Sequence, residues 1–203
     1  MKSKVTKIIS TCVPMPDENI DTDQIIPARF LKSTTREGFG KNLFRDWRYD
    51  AANKPIKDFI LNDPKYKGQI LVAGRNFGCG SSREHAAWAL VDYGFKAVIS
   101  SFFADIFKSN ALNNSLLPIQ ISEDELQQIF QFIKKDPKVE FVIDLQGQRL
   151  SAMRYPLSTK FEINAYKKMT IMNGYDDIEY LRSMQKKTEE FESNRKNDYS
   201  IDY

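Results

Sequence analysis

The stretch whose reading decides the fold is residues 69–89, QILVA followed by GRNFGCG and SSREHAAWA. Residues 69–73 are a short apolar run bounded by glycine, which reads as a buried strand. Gly74, Gly78 and Gly80 break the regularity and make a loop. A helix is then expected to open at Ser81 or Ser82 and run to Tyr93, where Gly94 stops it as a C′ glycine. Strand, glycine loop and helix are the parts of an anion site. The first N–H groups of a helix are unpaired and carry roughly half a positive charge between them. A carboxylate or phosphate is stabilised there, and Arg83, in the first turn, is placed to grip a carboxylate with two hydrogen bonds.

Two readings of Ser81 stand side by side. Ser81 and Glu84 have the spacing of a capping box, so Ser81 is a helix cap worth about 1 kcal/mol. Alternatively it is a base, because backbone N–H groups, a helix N-terminus and a guanidinium are the agents that stabilise an alkoxide. Other glycine-loop chemistries are excluded. G-x-G-x-x-G is absent, no G-K-[ST] follows, and G-x-S-x-G is missing. The single histidine, His85, lies four residues on along the same helix, which argues against a serine-hydrolase triad.

Outward from this centre, residues 5–13 read as one strand. Residues 19–27 read as an acidic turn with a short strand or helix start, ended by Pro27. Residues 32–63 are a long polar excursion with short helical pieces, of the kind that is functional or covers a partner. Residues 96–100 and 116–121 read as strands around a helix at 103–112. Ser122 and Glu125 open a capping-boxed helix that reaches about Lys135. Residues 139–145 and 149–155 flank a hairpin turn, and 160–163 add a strand. A charged helix follows at 175–195, and residues 196–203 form a tail expected to be disordered. The alternation implies α/β layers in a single domain spanning 1–195.

Composition narrows the function. Charged residues make up 28% with a net charge of only +3, too weak a bias for nucleic acid. No apolar run approaches the roughly 18 residues of a membrane span, and the N-terminal residues do not read as a signal peptide. Two cysteines, Cys12 and Cys79, suggest a reducing, cytoplasmic setting. They are too few for an iron–sulfur cluster, so no metal or cofactor is expected on this chain.

Residues 78–86, GCGSSREHA, resemble the serine-loop signature of the aconitase superfamily swivel domain. Residues 19–31, NIDTDQIIPARFL, resemble the N-terminal element of isopropylmalate dehydratase small subunits. Residues 102–107 (FFADIF), 113–118 (NNSLLP), 36–40, 43–48 and 172–174 also match, in order. The resemblance implies a three-layer β/β/α swivelling fold. It further implies a large-subunit partner carrying a 4Fe-4S cluster and a hydroxy-diacid substrate. Ser81 would be the base, with Ser82, Arg83 and Gly80 at a substrate carboxylate and Glu84 and His85 in support. Asp23, Arg29, Phe30 and Leu31 would be candidate substrate contacts. For Asp21, Thr22 and Asp23 a capped turn is the competing reading. For Phe30 and Leu31 it is core packing, and for His85 a structural hydrogen bond. A sibling hydro-lyase acting on citraconate, maleate or dimethylmalate shares the serine loop. A lone anion-binding module and an interaction protein using the excursion are the non-enzymatic readings.

Overall fold

The computed structural model describes residues 4–32 and 34–195; the 196–203 tail lies outside the described residues. Two four-stranded sheets form the frame. The antiparallel sheet has the order β1 (Lys7–Ser10), β6 (Phe141–Asp144), β7 (Arg149–Ala152), β8 (Ser158–Lys160). The parallel sheet has the order β2 (Cys12–Met15), β3 (Ile70–Ala73), β4 (Ala97–Ser100), β5 (Leu117–Gln120).

The expected single strand at 5–13 is therefore two strands, one in each sheet, with Thr11 between them. The switch is made by a close backbone approach. A Cβ at Gly68 would lie 2.0 Å from the Thr11 carbonyl oxygen, and the Gln69 N–H donates to Ser10 Oγ at 2.8 Å. Strand propensity is high on both sides of Thr11, so nothing local marks the change of sheet.

Side chains of the parallel strands alternate between two cores, as the period of two requires. Ile70, Val72 and Ile99 face the antiparallel sheet, with Ile8, Phe141, Ile143 and Leu150. The helix α5 (Glu123–Lys135) closes this core with Leu126, Ile129 and Ile133. Leu71, Ala73 and Val98 face the other way, against α3 (Glu84–Tyr93) and α4 (Asp105–Asn113). Sheet, sheet and helices are the β/β/α layers expected.

Local signals set several boundaries correctly. Gly94 ends α3 at φ +117°, and Ser122 with Glu125 forms the capping box of α5. Others moved. Register with β7 places β8 at Ser158–Lys160 rather than 160–163. The helix α6 (Ala165–Asn173), capped by Asn164, was not foreseen. The 175–195 helix is two, α7 (Asp177–Ser183) and α8 (Gln185–Arg195). The excursion carries short helical pieces at Phe39–Asn42, α2 (Arg45–Arg48) and Ile60–Asn62, and it buries Phe39, Leu43 and Phe44 in the second core. No described helix is long and apolar enough to cross a membrane.

Candidate active site

After β3 the chain enters left-handed backbone three times, at Asn76 (φ +62°), Gly78 (φ +77°) and Gly80 (φ +86°). Such angles strain residues with a Cβ, so Gly78 and Gly80 are required for conformation. Gly78 is also required for space, since a Cβ there would lie 2.2 Å from Phe107 Cγ. The loop is stitched to residues 19–22. Asn19 N–H donates to Arg75 O (2.8 Å), Gly78 N–H to Ile20 O (2.8 Å) and Thr22 N–H to Cys79 O (2.9 Å). Thr22 Oγ1 donates to Ser81 O at 2.8 Å. Two motifs almost sixty residues apart in sequence therefore form one element. Within it, Asp21 caps the short helix α1 (Thr22–Ile25) in a capping box with Gln24, so the capped-turn reading of Asp21 holds.

The opening of α3 corrects the sequence reading. The helix begins at Glu84, not Ser81 or Ser82. Its N-cap is Arg83, in extended backbone (φ −136°, ψ 104°), with no side-chain capping bond. Ser81 is no cap, and the S-x-x-E spacing is not a capping box. The loop's stitching to residues 19–22 holds Ser81 and Ser82 outside the helix, and both are exposed. Among the described residues neither hydroxyl has a hydrogen-bond partner.

Arg83 and Asp23, each a candidate substrate contact, are paired with each other. Arg83 Nη1 donates to Asp23 Oδ1 and Nη2 to Oδ2, the latter at 2.8 Å. The Arg83 side chain is 13% exposed and that of Asp23 54%. The guanidinium is thus tied by both prongs to the 19–25 segment. Its fork already grips a carboxylate, the group it is expected to bind in a substrate. Arg29 sends both prongs to Asp46 of α2 and lies 4.7 Å over the Phe30 ring. Phe30 and Leu31 are half-buried against the second core.

Glu84 does not cap; it collects donors. Asn114 Nδ2 reaches its Oε1 at 3.0 Å, Trp88 Nε1 at 3.1 Å and Arg36 Nη2 at 3.3 Å. The hydrogen bond from buried Asn114, helped by Trp88, Arg36 and His85, holds the Glu84 carboxyl below its usual range. A depressed carboxyl pKa adds stability above the unfolded value, and this is lost as pH falls through the folded pKa. Glu84→Gln should therefore melt below the parent at pH 7, and the gap should narrow as pH falls below the ordinary Glu pKa of about 4.3 and through the lower folded-state value. A gap independent of pH in thermal melts would remove the charge from the account.

His85 packs against Trp88 (centroids 4.3 Å) and Phe39 (5.5 Å), between α3 and the excursion. Asn114 and Arg36 were not foreseen as supports. Asn114 sits in the NNSLLP motif, just past the expected helix at 103–112. Cys79 donates to Asn19 O at 3.3 Å, and its thiol is pushed up by burial and by Asp21. Burial also raises the Cys12 thiol. Among the described residues no three His, Cys, Asp or Glu side chains are grouped to hold a metal ion, and these two thiols do not fit a cluster.

A parallel sheet with a glycine loop at the carboxyl ends of its strands, facing an antiparallel sheet, defines a swivel domain. The chain belongs to the aconitase C-terminal domain family, whose model matches residues 2–124. It is 57% identical over 193 residues to the 3-isopropylmalate dehydratase small subunit of Cytophaga hutchinsonii, covering 95% of this chain and 96% of that one. To the protein of the same name from Azobacteroides pseudotrichonymphae it is 58% identical over 192 residues, 94% and 98% of the two chains. The crystal structure of 3-isopropylmalate dehydratase from Methanocaldococcus jannaschii is similar, with TM-score 0.64 and 28% identity, covering 91% of this chain and 98% of that one.

Proposed function

We propose that this chain is the small subunit of a 3-isopropylmalate dehydratase. The enzyme removes water from 2-isopropylmalate and re-adds it to isopropylmaleate to give 3-isopropylmalate, a step of leucine biosynthesis. The observation that carries this reading is identity of 55–58% to four small subunits of that name, along nearly the full length of each chain. It favours isopropylmalate over the sibling diacids.

The chain works with a large subunit in the cytoplasm. A 4Fe-4S cluster there would supply a Lewis acid for the leaving hydroxyl. This chain's own part is proton transfer and grip. Ser81 takes the proton from the carbon beside a substrate carboxylate. Its exposed hydroxyl, without a partner among the described residues, supports that role. Arg83 and the backbone N–H groups at the start of α3 stabilise the alkoxide form of Ser81, whose negative charge passes to the substrate as the proton is taken. Ser82 offers a second hydroxyl to the carboxylate, and Gly80, without a Cβ, lets the substrate approach the backbone. A substrate carboxylate shares or takes over the Arg83 fork from Asp23.

Anaerobic co-expression with a cluster-bearing large subunit, assayed by isopropylmaleate absorbance, tests the function. Turnover of isopropylmalate should require both chains. Turnover of citraconate but not isopropylmalate would overturn the assignment. Arg83→Lys should raise KM at least about tenfold, because an ammonium replaces a two-pronged grip and a hydrogen bond to a charged group is worth about 1.5–3 kcal/mol. An unchanged KM would remove Arg83 from substrate binding.

A further inference from the structure

Ser81 and Ser82 are exposed. Clefts of 250 and 470 Å³ are lined by residues such as Leu112, Lys167 and Asn164, none from the serine loop. β2, β3 and β4 run parallel, so the segments after Met15, Ala73 and Ser100 emerge on one face, the end where α/β sheets bind ligands. Residues 16–19 and 80–82 there are exposed.

The segment after β4 is tied to the serine loop. Phe77 N–H donates to Phe102 O at 3.2 Å, and Ala104 N–H to Phe77 O at 3.3 Å. Along this segment the apolar side chains divide. Phe103 and Phe107 are buried against Phe77. Phe102 and Ile106 are 45% and 53% exposed. Packing accounts for the first pair and leaves the second without a role in the fold. Isolated exposed apolar residues are ordinary; these two sit four residues apart, beside the site. A stable heteromeric interface buries roughly 800 Å² per partner, more than the few residues of the serine loop can supply. A partner covering that loop must spread onto the neighbouring face, and aromatic and aliphatic anchors are what interface centres use.

We infer that Phe102 and Ile106 are the apolar anchors by which the face around the serine loop docks onto the large subunit. The inference rests on the function proposed above. The test uses the full chain carrying Phe102→Ser, Ile106→Ser or both, titrated against the cluster-loaded large subunit. Affinity is read by sedimentation and turnover by isopropylmaleate absorbance. Leu181→Ser on α7, where Leu181 is 69% exposed, is the control. The double variant should bind at least tenfold more weakly, recover kcat within about twofold at saturating large subunit, and keep the parental melt. If it melts lower than the control, Ile106→Thr is read in its place. Unchanged affinity overturns the inference, as does a kcat loss at saturation with unchanged affinity, which would make these residues substrate contacts. Self-association of the isolated chain that the double variant abolishes, at unchanged large-subunit affinity, would assign the face to a second copy. A parental pair that binds without turning over isopropylmalate counts against the functional reading alone, whereas no complex at all overturns both.

Discussion

Ser81→Ala should lower kcat by about a thousandfold, within the range for loss of a positioned general base, while leaving the melting temperature of the chain unchanged. The two halves of this result are linked. A capping serine replaced by alanine loses about 1 kcal/mol, but α3 is capped by the backbone of Arg83 with no side-chain bond. Ser81 is held through its carbonyl, which accepts from Thr22 Oγ1, and alanine keeps that carbonyl. Its exposed hydroxyl fills no core space, and surface changes of this kind usually stay within about 0.5 kcal/mol. Differential scanning calorimetry of the isolated chain and kcat at saturating large subunit read the two effects separately. A lower melt with turnover intact would return Ser81 to the role of a cap. Turnover within a few-fold of the parent would remove it as the base.

Gly78→Ala should be the most damaging single-methyl change in the loop. At φ +77° a residue with a Cβ pays roughly 1–2 kcal/mol. The added methyl also meets Phe107 at Cγ, Cβ and Cδ2, between 2.2 and 2.6 Å. Phe107 cannot yield easily, being packed edge-on to Phe77 and stacked on Phe103. Overpacking of this sort adds about 1–3 kcal/mol. A total near 3 kcal/mol corresponds to a melting temperature lower by about 6–12 °C in a domain of this size. The loop would relieve the clash by moving, and Ser81 lies three residues further on. A misplacement of about 1 Å at a reacting group costs about a hundredfold in rate, so the surviving folded protein should also be slow. A melt within 1 °C of the parent with full turnover would show that the loop does not depend on this approach.

The two variants probe the part of the site that was legible before any coordinates. The glycine loop, the emergence of a helix behind it and the arginine beside its start are all written in sixteen consecutive residues. The resemblance in residues 19–31 and 78–86 pointed at the same place. Less legible was how those residues are used. The S-x-x-E spacing suggested a cap, and the fold uses the serine and the glutamate for different purposes. Arg83 was expected to await a substrate, and it holds Asp23. Glu84 was expected to close the helix start, and it gathers Asn114, Trp88 and Arg36. Each of these partnerships except Trp88 joins residues from distant parts of the chain, and spacing within a motif carries no information about them.

The sequence by itself determined where backbone must turn left-handed, as at Gly78, Gly80 and Gly94. It determined where a helix is closed by its own neighbours, as at Ser122 with Glu125, and that two cysteines cannot carry a cluster. These follow from steric and hydrogen-bonding demands satisfied within a few residues. Only the tertiary structure decided that the strand at 5–13 breaks at Thr11 to serve two sheets, because its two halves pair with distant strands, β1 with β6 and β2 with β3. It also decided that α3 starts at Glu84, because residues 19–22 draw the serines out of helical backbone. And it decided that Phe102 faces outward while Phe103 faces in, because the space beside Phe77 is filled by the Phe103 and Phe107 rings.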